Sequence, residues 1–197
     1  MKAATEEKGE IGEAGYGLVK KSYNESLFKL SKLEENIHFA AYSLVIFAVP
    51  FLLGHPQLLV GIIVNAALIL GATYVKGHKM LPLIMLPSIA VLIRGMIFGP
   101  FTVFLLYMMP FIWLGNAIYA YAFRYLQFRK LNSILSVGIA ATMKAALLFG
   151  AAFVLVKMSI LPTIFLTAMG VLQLATALLG GLLAIGVIKA RERIVSD

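Results

Sequence analysis

From Ile37 onward the chain alternates long apolar runs with short polar breaks. The first run extends from Ile37 to Leu53 and stops at Gly54-His55-Pro56. The second, Gln57 to Val75, stops at Lys76-Gly77-His78-Lys79, and the third, Met80 to Phe98, meets the fourth, Phe101 to Phe123, at Gly99-Pro100. A basic linker from Arg124 to Leu131 precedes the fifth run, Asn132 to Val156. Lys157-Met158-Ser159 then turns the chain into the sixth, Ile160 to Ile188, which is long enough to tilt or to project from a bilayer. Each run is close to the roughly 20 residues a helix needs to cross a hydrocarbon core. None shows the two-residue alternation of a barrel strand, so the pattern predicts helices. The fold class is therefore all-α, an integral membrane bundle of six transmembrane helices.

The polar flanks complete the domain plan. Residues 1–36 read as a tail, 37–190 as the membrane domain and 191–197 as a short charged terminus. Residues 1–23 mix Lys, Glu and Gly and are expected to be mobile. Between Asn24 and Glu35, Leu27, Phe28, Leu30 and Leu33 form an apolar stripe opposite Glu25, Lys29, Lys32 and Glu34. Both an interfacial helix and a solvated helical extension fit that stripe. No apolar core opens the chain as a signal peptide would, so the first span is expected to be its own insertion signal.

Composition sharpens the class. Hydrophobic residues make up 61% of the chain, against roughly 45–50% in soluble domains. No cysteine is present, which excludes disulfides and thiolate chemistry. The formal charge of +8 does not mark a nucleic-acid partner, because the cations sit mainly between the apolar runs. The tail, Lys76 and Lys79, the Arg124–Lys130 linker and the C-terminus are basic, whereas the alternate turns carry only Lys157 and His55. The positive-inside rule then predicts cytosolic termini and a multi-pass protein of the cell membrane, in contact with membrane lipid.

Small residues four apart mark close helix approaches. They occur at Ala67 and Gly71, at Ala141 and Ala145, at Ala146 and Gly150, at Ala177 and Gly181, and at Gly180 and Ala184. Internal packing and a partner interface both fit, and the overlapping pairs make the sixth span the best partner candidate.

No Asp or Glu occurs between Glu35 and Glu192. Proton relays and cation pathways generally use intramembrane carboxylates, so neither is expected. No carboxylate pair, nucleophile–base set or metal-ligand cluster is visible, and His38, His55 and His78 stand apart near the interfaces. The expectation is a protein that is not an enzyme and needs no cofactor. Two cations remain inside the spans, Arg94 near the outer turn of the third and Lys144 in the middle of the fifth. Each fits an anionic ligand. Arg94 also fits lipid phosphates or helix-end carbonyls, and Lys144 fits a deprotonated or water-solvated amine. Asn65, Tyr107, Asn116 and Gln173 are the neutral polar candidates for the same outward-opening pocket, with Trp113 as its apolar floor. Pro50, Pro87 and Pro110 are placed to bend helices around it.

The stretch Leu92-Ile93-Arg94-Gly95-Met96-Ile97-Phe98-Gly99-Pro100-Phe101 follows a Leu-x-x-Gly-x-x-x-Gly-Pro pattern. With six spans and the Asn65-Ala66-Ala67 segment, it resembles the substrate-binding S-components of energy-coupling-factor vitamin transporters across residues 37–190. The resemblance implies a subunit that takes a vitamin or metal from the outside. Such a subunit topples in the membrane while docked to a transmembrane coupling protein and its ATPases. The family's first helix often docks through Ala-x-x-x-Ala; here Ala40 and Ala41 are followed by Leu44 and Val45. The chain has no phosphate-binding Gly-rich loop of its own. The expected function is an importer subunit binding an anionic or carboxylate-bearing substrate. The alternative is a structural or assembly subunit that binds protein partners or lipid; an intramembrane lipid enzyme is the weakest reading because no catalytic set is visible.

Overall fold

Ser31-Lys32-Leu33-Glu34 is a helix start signal, and the chain uses it. In the computed structural model, which describes residues 15–53, 56–98 and 102–196, Ser31 Oγ accepts the Glu34 N–H at 3.2 Å. Glu34 Oε2 accepts the Ser31 N–H at 2.9 Å in return. This capping box opens α2 (Lys32–Leu52). Then follow α3 (Gln57–Tyr74), a 3₁₀ turn (Gly77–Lys79), α4 (Met80–Phe98), α5 (Thr102–Phe128) and α6 (Ser133–Lys157). The chain ends on α7 (Ile164–Met169) and α8 (Val171–Ser196). A further helix, α1, covers residues 15–24. Six helical segments are long and apolar enough to cross a membrane, α7 and α8 counting as one, and no strand occurs among the described residues. The all-α six-helix bundle is therefore the fold. The turns expected at Gly54-His55 and at Gly99-Pro100, and residues 1–14 of the tail, lie outside the described residues.

Three local expectations are corrected. The helix predicted over 24–35 does not form as one piece. Residues 25–31 are irregular because the capping box fixes the helix start at Lys32, and because the Leu27 N–H is drawn to the Thr73 carbonyl at 2.9 Å. The basic linker is shorter than Arg124–Leu131, since α5 continues through Phe128 and carries Arg124 inside the bundle. The sixth span is not continuous. Gly170, at φ −98° and ψ −96°, leaves helical geometry and separates α7 from α8. A Cβ at Gly170 would lie 2.9 Å from the Phe149 ring, so the break is also a close approach to α6.

Backbone approach sets the packing. A Cβ on Gly180 would stand 2.5 Å from the Ile62 carbonyl oxygen and 2.8 Å from the Ala66 nitrogen, so α8 and α3 touch backbone to backbone. Ala177 and Ala184 are fully buried on the same face. The overlapping small-residue pairs of the sixth span thus serve internal packing, whereas Ala146 and Gly150 face outward. A large apolar core joins these helices around Leu68, Ile69, Tyr119 and Phe123. A smaller one, with Met108, Leu148 and Phe165, pins α7 to α5 and α6.

Arg124 closes the basic end of the bundle. A helix leaves its last carbonyls without partners, and fully buried Arg124 supplies them for α3. Its Nε donates to Ala72 O at 2.6 Å, its Nη2 to Val75 O, and its Nη1 reaches Ser22 O of α1 at 2.9 Å. Leu27 N–H on Thr73 O and Val75 N–H on Gly71 O engage two more carbonyls at the end of α3.

Two substitutions check this packing. Arg124→Met strands three carbonyls and is expected to cost about 3 kcal/mol or more, read as thermal unfolding in detergent, with Arg124→Lys intermediate. Gly180→Ala is expected to lower the melting temperature by forcing α3 and α8 apart, at about 1–3 kcal/mol. Gly186→Ala, where a Cβ meets nothing within 4 Å, is expected to leave it unchanged or slightly raised.

Candidate functional site

Every spanning helix contributes to one cavity of about 170 Å³. Pro50 comes from α2, Asn65 from α3, Ser88 from α4, Asn116 from α5, Lys144 from α6, and Gln173 and Thr176 from α8. Met169 joins the wall from α7 beside the Gly170 break, and most of the remaining surface is aliphatic. Gln57, Leu58, Val91 and Leu105 line the part farthest toward the ends of α3, α4 and α5 remote from Lys76 and Lys79. The cavity therefore belongs to the end of the bundle opposite the basic loops.

Lys144 is the cation of this cavity and is only 3% exposed. Its Nζ donates to Asn65 Oδ1 at 2.6 Å. A lysine ammonium has no acceptor, so Asn65 must present its oxygen and keep its amide nitrogen for another partner. That nitrogen donates to Thr176 Oγ1 at 3.2 Å, and the Thr176 hydroxyl donates to Leu172 O at 2.8 Å. The relay needs α3 and α8 close together. Gly61 permits this, because a Cβ there would lie 2.7 Å from the Thr176 methyl carbon. On another side, Lys144 Nζ stands 5.3 Å from the centroid of the Tyr119 ring, whose hydroxyl is tied to Ala177 O at 2.6 Å. An aromatic face at that distance offsets part of the cost of a buried cation. A protonated amine carries three N–H groups, and Asn65 accepts one.

The other polar wall groups are partly engaged. Asn116 donates from Nδ2 to Ile84 O at 3.0 Å. Ser88 donates to Met85 O at 3.0 Å and accepts the Trp113 indole N–H at 2.6 Å. Gln173 sits on the wall half-buried.

Of the residues picked from sequence, Asn65, Asn116, Lys144 and Gln173 come together here, with Asn65 at the depth of Lys144 rather than nearer the outer face. Arg94, Tyr107 and Trp113 lie outside the wall. Arg94 Nη1 donates to Phe51 O at 2.8 Å, in the last turn of α2. Tyr107 is 51% exposed and faces outward. Trp113 stands behind Ser88 and steadies it instead of flooring the cavity. Pro50 and Pro87 line the cavity, whereas Pro110 points outward. The sequence reading missed Thr176 and Ser88. Thr176 lies three residues after Gln173 and so shares its helix face, a signal that was present in the spacing. His38 belongs elsewhere, hydrogen-bonded to the Tyr42 hydroxyl at 3.0 Å and stacked on Tyr74 at the basic end.

Chemically, the site offers one cation, carboxamides and an aliphatic wall. No group of three or more His, Asp or Glu side chains converges among the described residues. The arrangement suits a small molecule with an anionic group and an apolar body. Comparison with known proteins finds no matching family model, no matching curated protein and no matching solved structure.

The Lys144–Asn65 pairing has a testable signature. Asn65→Leu leaves the ammonium without its bonded oxygen and is expected to cost about 3 kcal/mol in thermal unfolding. Adding Lys144→Met to that variant is expected to recover most of the loss, because an apolar side chain then fills an apolar gap. Equal, additive losses would show that the two side chains do not depend on each other.

Proposed function

We propose that this chain is a membrane-embedded, small-molecule-binding subunit of an importer, with Lys144 receiving the anionic group of the substrate. One observation carries the reading: a cation buried in the middle of a spanning helix lines a cavity and is bonded to a neutral amide alone among the described hydrogen bonds. Placing such a charge at mid-membrane costs about 3 kcal/mol on insertion scales. A neutral oxygen satisfies one N–H without balancing the charge, and a carboxylate-bearing substrate does both. The cavity lies toward the end opposite Lys76 and Lys79, which the positive-inside rule assigns to the outer face. The resemblance of residues 92–101 to S-components supports the importer role, in which a coupling protein and its ATPases supply the energy.

The second reading, an assembly subunit that binds protein or lipid, draws on α2. That helix is the least covered of the spans, and Leu33, Ile37 and Leu44 are exposed along it. It requires a membrane protein that co-purifies and no response to small anions.

Sodium benzoate, a carboxylate on an apolar body, serves as the probe. The purified full chain is expected to gain thermal stability with rising benzoate, and Lys144→Met to weaken the apparent affinity by about tenfold or more. Arg94→Gln is expected to change it less than about twofold, since its Nη1 is held by the Phe51 carbonyl. Responses to benzoate that are identical in wild type and Lys144→Met would contradict the proposal.

A further inference from the structure

At the basic end, a second cavity of about 430 Å³ opens between α2 and the loop that joins α3 to α4. Lys32, Lys76, Lys79 and His78 line it together with Asn24 and Glu35. Glu35 is buried and bridges two of the lysines, with Lys79 Nζ at 3.1 Å and Lys76 Nζ at 3.8 Å from its oxygens. Lys79 also donates to Asn36 Oδ1 at 2.7 Å. The carboxylate therefore fixes where the loop stands, and Gly77, at φ +60°, supplies the left-handed turn that brings the loop back toward α2. The charges do not cancel. Three lysines against one carboxylate leave a surplus of two positive charges in a walled recess.

The recess lies where α2 and α4 enter their membrane-spanning stretches. Exposed apolar side chains begin at once on the same two helices. Leu33 follows Lys32 and is 70% exposed; Leu81 lies two residues after Lys79 and is 49% exposed. A ligand that meets both features carries a phosphate at one end and hydrocarbon at the other. We infer that this recess is a binding site for the phosphate headgroup of an anionic phospholipid, separate from the Lys144 cavity. Lys32 and Lys76 meet the phosphate, His78 lies within the same wall, and the acyl chains lie along the exposed leucines. Basic recesses at the membrane surface recognise headgroups in this way. An acidic peptide would use the lysines but leave the adjoining leucines to bulk lipid. The same phosphate chemistry could also be supplied by free phosphate, and the experiment separates the two sources.

The test uses the full chain in detergent with three probes: dioleoylphosphatidylglycerol, dioleoylphosphatidylcholine and millimolar inorganic phosphate. Native mass spectrometry reads lipid retention, and thermal unfolding reads stabilisation. Wild type is expected to retain phosphatidylglycerol in preference to phosphatidylcholine. Lys32→Gln and Lys76→Gln are each expected to weaken that retention about fivefold, and together about thirtyfold. Both leave the 3.1 Å Lys79–Glu35 pair in place, and melting in phosphatidylcholine alone reports whether the variants fold. A control with the same charge change at exposed sites elsewhere, Lys20→Gln with Lys130→Gln, is expected to lose less than about twofold. Stabilisation by inorganic phosphate matching that by phosphatidylglycerol, and lost in the same variants, assigns the recess to free phosphate. Equal retention of the two lipids by wild type, or equal losses in the double variant and the control, would overturn the site.

Discussion

Cations set among these helices rest on neutral oxygen atoms, because no carboxylate exists between Glu35 and Glu192 to hold them. Arg124 rests on the carbonyls of Ala72, Val75 and Ser22, Arg94 on that of Phe51, and Lys144 on the Asn65 side chain. The three are not equivalent. Ala72 and Val75 lie at the C-terminal end of α3, and Phe51 lies in the last turn of α2. Helix C-termini carry the negative end of the macrodipole, so both arginines gain an electrostatic offset as well as hydrogen bonds. Lys144 is in the middle of α6, and its bonded oxygen belongs to a side chain in the middle of α3. Its charge has no helix end to meet, and it is the one of the three that lines the cavity.

The rest of the architecture serves that arrangement. Gly61 and Gly180 bring α3 against α8 closely enough for the Asn65–Thr176 hydrogen bond. Tyr119 is anchored to α8 through Ala177 O and turns its face to the Lys144 amine. The break at Gly170 lets α7 and α8 both contribute to the wall, where an unbroken helix would present a single face. Discontinuous spanning helices with polar groups near mid-membrane are a recurring means of building solute sites in membrane proteins. At the opposite end Arg124 and the buried Glu35 lock the loops.

Much of the fold was legible because a bilayer demands long apolar runs. The run from Met80 to Phe98 coincides with α4, and those of the second and fifth spans agree with α3 and α6 to within a residue at each end. Of the polar residues inside such runs, Asn65, Asn116, Lys144 and Gln173 meet at one cavity. Direction around the helix was not legible. Nearly every position in a buried membrane helix is apolar, so no stripe says which side faces inward, and Tyr107 pointed out while Thr176 pointed in. Arg124 was read with Arg129 and Lys130 as a linker because charge density resembles a loop until three carbonyls are found around it. The capping box at Ser31 was visible in the sequence but lost to the apolar stripe of residues 24–35. Gly170 gave no warning, since glycine is ordinary in membrane helices.

The central claim is that Lys144 is kept for an anion. Native mass spectrometry of gently solubilised chain, without any added ligand, asks this most directly. The account expects a small anionic molecule to travel with the wild-type protein and to be missing from Lys144→Met, with the phospholipid bound to both unchanged. The same bound species on the two proteins, with no small molecule on either, would contradict it.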